Sequence, residues 1–181
     1  PVTTTHFVGT VRLTKDDVVA QSRKVPKKAD GAKLDGEQVY TFYFHGPAYQ
    51  VVSQAWRSGG GSVTKLVDPL PDNHVPADAP LVSAPRLAEL CFQTSGLWEA
   101  GTEGRMALPT RVGRVRVLLD PAAAEGPLHA IASPTGESTF DCVVVDRTGA
   151  VIMVMDGYES IAFPAPIPDS VVTPLRETYQ P

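Results

Sequence analysis

PRLAELCFQTSGLWEA, residues 85–100, carries the clearest helical spacing in the chain. Leu87, Leu90, Cys91, Thr94, Leu97 and Trp98 recur at helical period and make one apolar stripe. Ser83 or Ala84 stands where a cap belongs, Pro85 falls in the first turn, and Gly101 sits just past the expected end. A second face carries Glu89, Gln93, Gly96 and Ala100. Small residues there imply that something packs on that side as well, so this helix is expected to be buried nearly all round.

Outward from this helix the pattern changes to strands. Downstream, residues 106–119, 128–132, 139–145 and 151–163 read as strands, separated by the turn signals PAAAEGP, SPTGE and DRTG. Upstream, residues 51–57 and 62–67 flank Ser58-Gly59-Gly60-Gly61 as a hairpin around a glycine turn. Residues 39–44, VYTFYF, are β-branched and aromatic and predict a strand ending at His45-Gly46-Pro47, because Pro47 cannot continue a central strand. Residues 5–13 alternate and predict a leading strand. The polar stretch 14–38, with the basic run RKVPKKADGAK, predicts a solvated loop or short helix, and 68–80, with four prolines, a loop.

These elements add to an α+β layout of about six strands and one central helix. A curved antiparallel sheet wrapped around one buried helix is the hot-dog fold. A single domain is expected over residues 1–181: a leading strand and polar linker (1–37), the core (38–163), and a proline-rich tail (164–181) lying on the surface.

The chain has 181 residues, 43% hydrophobic and 20% charged, with a net charge of −4. That suits one globular core and argues against disorder. No apolar run approaches the roughly 20 residues that span a bilayer, so no membrane role is expected. The charge balance gives no reason to bind nucleic acid. Cys91 and Cys142 sit in apolar settings and make no disulfide framework, which points to a cytoplasmic protein. The first residues lack a signal peptide and an initiator Met, so a processed chain or a piece of a longer polypeptide is expected.

His6, His45, His74 and His129 are scattered, none at a metal-ligand spacing, so no metal site is expected. Gly59-Gly60-Gly61 opens no helix and is no phosphate cradle. There is no G-x-S-x-G elbow. What remains is Glu89 and Gln93, one turn apart on one face. A carboxyl on a buried helix favours its protonated form and can serve as a general acid near neutral pH. An amide four residues on can fix its orientation. The same pair also suits an ordinary solvent-facing side of a helix, since Glu and Gln are good surface helix formers.

The chain resembles the C-terminal half of a polyketide synthase dehydratase domain, a double hot dog made of two fused halves. That family carries HxxxGxxxxP, GYxYGPxF, LPFxW and DxxxQ/H. Tyr43-Phe44-His45-Gly46-Pro47-Ala48-Tyr49 resembles the second, with His45 where the family often has Tyr and Tyr49 where it has Phe. Leu108-Pro109-Thr110-Arg111-Val112 resembles the third without its aromatics, and Glu89 to Gln93 resembles the fourth with Glu for Asp. No histidine here fits HxxxGxxxxP, whose His is the family's base and lies on the N-terminal hot dog.

The resemblance implies a β-hydroxyacyl thioester substrate, carried on the phosphopantetheine arm of an acyl carrier protein, with no metal or redox cofactor. A His from another hot dog would remove the α-proton, Glu89 would protonate the departing hydroxyl, and Gln93 would orient Glu89. Tyr43, His45, Gly46, Pro47, Tyr49, Leu108 and Pro109 would line the substrate tunnel. Backbone N–H groups near a helix N-terminus or the Gly46-Pro47 turn would polarise the thioester carbonyl. Implied partners are the N-terminal half or a second hot dog, and a carrier protein whose acidic surface Lys24, Lys27 and Lys28 would meet. Two rival readings are a catalytically degenerate hot dog that supports an active neighbour and a stand-alone hot-dog acyl thioesterase.

Overall fold

The structure, a computed structural model, describes residues 3–15, 18–79, 81 and 83–180. Strand β1 (Lys33–Asp35) runs into helix α1 (Gly36–Phe42), followed by the hairpin β2 (Val52–Ser58) and β3 (Gly61–Leu66). The central helix α2 (Pro85–Glu103) comes next, then β4 (Ala107–Val117), β5 (His129–Gly136), β6 (Thr139–Val145), β7 (Val151–Ala162) and helix α3 (Asp169–Tyr179). The seven strands form one antiparallel sheet in the order β1-β2-β3-β5-β6-β7-β4.

The sheet is held around α2 by apolar burial, the dominant favourable term in folding. Leu90, Cys91, Leu97 and Ala100 of α2 share one core with Phe140, Cys142, Met153, Met155 and Tyr158 of the sheet. The other face of the sheet buries Trp56, Val63, Ile131, Val145, Val151 and Val154 beneath Val25 and Ala29. The basic stretch is therefore more than a solvated loop: Pro26 accepts a hydrogen bond from the Trp56 indole at 3.2 Å. Between β2 and β3, Gly59 and Gly60 turn the chain at φ 57° and 82°, the left-handed pair that a two-residue hairpin requires.

Four expectations need correction. Residues 5–13 form no strand among the described residues; their alternation meets no sheet edge of this chain, and Phe7, Val8, Val11 and Leu13 are exposed. Residues 39–42 are helical rather than extended, because a capping box starts a helix just upstream. Gln38 N–H donates to Asp35 Oδ1 at 2.9 Å and Asp35 N–H to Gln38 Oε1 at 3.0 Å. Helix α2 passes Gly101 and ends at Gly104, whose φ of 70° supplies the left-handed cap. Ala84 is its N-cap, without a side-chain bond, so Ser83 does not cap it.

The tail is the fourth correction. Residues 169–179 form α3, which buries Val172, Leu175 and Tyr179 despite Pro174 inside it. Pro80 of the expected loop and Pro181 of the tail lie outside the described residues, as do Asp16 and Asp17. The small residues on α2 have their explanation here. A Cβ on Gly101 would stand 2.5 Å from the Cβ of Tyr179, and one on Gly96 2.5 Å from the Tyr43 hydroxyl oxygen. Gly101→Ala should therefore displace α3 and cost about 1–3 kcal/mol in denaturant titration, opposite in sign to the usual gain of Gly to Ala in a helix.

Asp146 fixes the turn between β6 and β7. Burial alone would raise its carboxyl. The backbone N–H groups of Glu125, Thr148 and Ala150 and the Thr148 hydroxyl all donate to it, and together they hold it below the usual carboxylate range. A depressed carboxyl contributes stability above its unfolded value, and that contribution is lost as pH falls through the folded one. Asp146→Ala should cost about 2–3 kcal/mol at neutral pH by stranding these donors. Its penalty should shrink in acid, read from unfolding curves between neutrality and low pH.

Candidate active site

Helix α2 presents Glu89 and Gln93 on the side facing α1 and the turn that follows it. Gln93 is 1% exposed, and every polar atom of its amide is engaged. Its Nε2 donates to Glu89 Oε1 and to Tyr49 O, both at 2.9 Å, and its Oε1 accepts from the Tyr40 hydroxyl at 2.8 Å. Tyr40 in turn accepts from Val52 N–H at 2.7 Å, and the Tyr43 hydroxyl donates to Gln93 O at 2.8 Å. This chain of bonds ties the amide to α1, β2 and the intervening turn, so the Glu89 carboxyl is held in one place. The solvent-facing alternative for this helix face does not hold.

His45 completes the group. Its Nε2 lies 3.0 Å from Glu89 Oε1, the same oxygen that Gln93 contacts. The imidazole is stacked on Phe44 and meets the Tyr43 ring edge-on, each with centroids 5.3 Å apart. Burial raises the phenols of Tyr40, Tyr43 and Tyr158 well above the ordinary value, and the Glu89 charge adds to it. These hydroxyls therefore act as neutral hydrogen-bonding groups rather than as bases.

Tyr43, His45, Glu89, Gln93, Leu108 and Pro109 line one cavity of about 120 Å³. Leu108 and Pro109 reach it from the start of β4, an edge strand in which a proline is tolerated. Gly46, Pro47 and Tyr49 do not line it; Gly46 and Pro47 are exposed and shape the turn that sets the Tyr49 carbonyl on Gln93. Phe44, Phe92, Met106, Ala107 and Tyr158 also line the cavity, and the sequence reading missed them along with Tyr40. Tyr40 had a signal: Asp35-x-x-Gln38 marks a helix start, and a helix there turns Tyr40 towards α2.

A larger groove of about 1040 Å³ opens at the N-terminal end of α2, lined by Ala84 to Leu87 and by the loops after β3 and β4. It contains neither His45 nor Glu89, so that ionisable pair belongs to the smaller cavity. Of the other histidines, His74 is engaged by Asn73 and Ala79 O, and His129 meets Trp56 edge-on. Among the described residues, no cluster of His, Cys, Asp or Glu could hold a metal ion, and no helix is long and apolar enough to cross a membrane.

A curved sheet wrapped on one helix, with a clamped carboxyl beside an imidazole at the helix's side, is the hot-dog arrangement. The family model described as polyketide synthase dehydratase N-terminal domain matches residues 14–170, and the chain belongs to that family. Among solved structures, the dehydratase domain from the CurF module of curacin polyketide synthase aligns with TM-score 0.60 and 20% identity, over 79% of this chain and 54% of that one. A dehydratase from the borrelidin and fluvirucin polyketide synthases gives TM-score 0.60 and 22% identity, over 83% of this chain and 54% of that one. The dehydratase domain of PpsC from Mycobacterium tuberculosis, solved in complex with C12:1-CoA, gives 0.58 and 20%, over 78% and 56%. The chain thus spans about half the length of the structures it matches. Comparison with curated proteins gives no match.

Proposed function

We propose that the chain is the C-terminal hot-dog half of a dehydratase that removes water from a β-hydroxyacyl thioester carried on an acyl carrier protein. The observation that carries this reading is the Glu89 carboxyl, clamped by Gln93 at 2.9 Å on the wall of a largely apolar cavity. A fixed carboxyl in such a setting suits proton delivery to a leaving hydroxyl. Glu-x-x-x-Gln on the central helix and the lack of HxxxGxxxxP in this sequence support the C-terminal assignment, although the matching family description names the N-terminal domain. The acyl-CoA in the PpsC complex supports an acyl thioester as the ligand class.

In this mechanism an external His takes the α-proton and Glu89 gives a proton to the β-hydroxyl, yielding a trans-enoyl thioester and water. Tyr43, Tyr158 and Phe92 shape the cavity, and Leu108 and Pro109 form its wall on β4. The elimination calls for no redox cofactor or metal. Lys24, Lys27 and Lys28 are exposed and available to an acidic carrier surface. The absence of a fitting HxxxGxxxxP in this sequence favours, as a second reading, a hot dog that supports an active neighbour.

Mass spectrometry of a β-hydroxyacyl carrier protein incubated with the chain in its natural sequence context tests the reading. Loss of one water from the acyl group is the expected result. No change, with the protein folded, moves the chain to the supporting role; release of free acid makes it a thioesterase.

A further inference from the structure

Where the resembling family motif often has Tyr, this chain has His45, and the structure seats that imidazole on Glu89. A phenol at this position would be a neutral hydrogen-bond partner; an imidazole can exchange a whole proton near neutral pH. We propose that His45 is the proton source for Glu89. The imidazolium protonates the carboxylate across the 3.0 Å Nε2–Oε1 contact, Glu89 passes that proton to the leaving hydroxyl, and neutral His45 is recharged from solvent. The count closes, with one proton entering from water at His45 for each one delivered at Glu89. This rests on the dehydratase reading for its substrate but not for the proton pairing itself.

Three observations converge on the pair. First, Glu89 Oε1 lies 3.0 Å from Nε2 of His45 and 2.9 Å from Nε2 of Gln93, so a single oxygen meets the imidazole and the amide that fixes it. Second, the side chains of His45 and Glu89 are 23% and 20% exposed, which gives the relay a route to solvent while most of each group is enclosed. Third, among the described residues no other charged side chain lines the cavity. Its β4 wall is Ala107, Leu108 and Pro109; Tyr43 and Tyr158 line it, and the titratable groups that feel the Glu89 charge are these two together with Tyr40 and the core thiol of Cys91. Arg86, one turn earlier on α2, directs its Nε to Ala48 O.

His45 Nδ1 is buried and meets no hydrogen-bond partner among the described residues, yet an imidazolium carries a proton there. A neutral ring with its hydrogen on Nε2 would leave Nδ1 bare and Glu89 merely solvated by one more donor, with nothing to relay. The two arrangements differ in ring ¹⁵N shifts. In the full chain at pH 7, His45 should show both nitrogens protonated. In Glu89→Gln, which keeps the hydrogen-bonding shape but removes the charge, its imidazolium fraction should fall at least about threefold, with His74 and His129 unchanged as markers of the fold. A neutral Nε2–H ring in the wild-type chain, or an imidazolium fraction unaltered by Glu89→Gln, overturns the proposal. The wild-type spectrum decides alone if the variant does not fold. A charged, Glu89-dependent His45 in a chain that performs no dehydration would defeat the dehydratase reading and leave the pairing standing.

Discussion

Glu89→Gln should lower the rate of water loss from a β-hydroxyacyl carrier protein by about 10²–10⁴-fold, the range that a positioned general acid contributes. The fold should survive the change. An amide occupies the volume of a carboxyl and still accepts from the Gln93 Nε2 that now bonds Glu89 Oε1 at 2.9 Å. In the proposed reaction the acyl chain rests on the apolar cavity walls, which the substitution leaves in place, so the loss should fall on kcat with little change in KM. Equal loss in KM with kcat preserved would make Glu89 a binding group instead. The comparison is clean because Tyr40, Tyr49 and Tyr43 continue to anchor Gln93 without reference to Glu89.

The largest expected effect on stability lies at the other end of the same helix. Glu99 has no exposed surface and is an ionisable side chain in the core. Arg105 reaches it at 3.2 Å, and the Ser160 hydroxyl donates to its other oxygen at 2.7 Å. Arg105 also contacts Glu103 at 2.8 Å, close to the end of α2, and bonds the Ser138 hydroxyl. Removing one partner of a buried ion pair leaves the other charge without compensation. Arg105→Ala should therefore cost about 3–5 kcal/mol in chemical denaturation. The double variant Arg105→Met with Glu99→Gln should recover much of that loss, because both charges then leave together. Arg111→Ala, which breaks an exposed pair with Glu159, should cost under about 1 kcal/mol. A loss at Arg105 no larger than at Arg111 would show that Glu99 is satisfied by Ser160 alone.

How far the sequence carries the fold depends on whether each element is specified locally. The α2 stripe, the Gly59-Gly60 turn and the strands after α2 are written in short-range periodicity and turn chemistry, and they appear close to where they are expected. Helix α1 departs from expectation because VYTFYF has the composition of a strand, while the decisive signal is the cap at Asp35 and Gln38 just upstream. Helix α3 failed because four prolines, at 164, 166, 168 and 174, masked the helical spacing of Val172, Leu175 and Tyr179. The end of α2 was misplaced for a tertiary reason: Gly101 serves the Tyr179 ring and not a cap. The segment 5–13 shows the converse, a strand pattern without a strand beside it.

The site was legible in part for the same reason. Glu89 and Gln93 are one turn apart, so their alliance is local and could be read. The contact between His45 and Glu89 joins residues on separate elements, and only the fold brings the imidazole at the substituted motif position to 3.0 Å from the carboxyl. Tyr40 reaches Gln93 from 53 positions away, beyond what periodicity encodes. The apolar walls from Phe92, Met106 and Tyr158 are likewise products of packing.

The most direct test of the central claim is a crystal structure, in the chain's natural sequence context, with a β-hydroxyacyl pantetheine in which an amide replaces the thioester. The account predicts the β-hydroxyl within hydrogen-bond distance of the Glu89 carboxyl, with the acyl chain against Phe92, Leu108 and Tyr158. A ligand seated in the groove at the N-terminal end of α2, with Glu89 untouched, would contradict it.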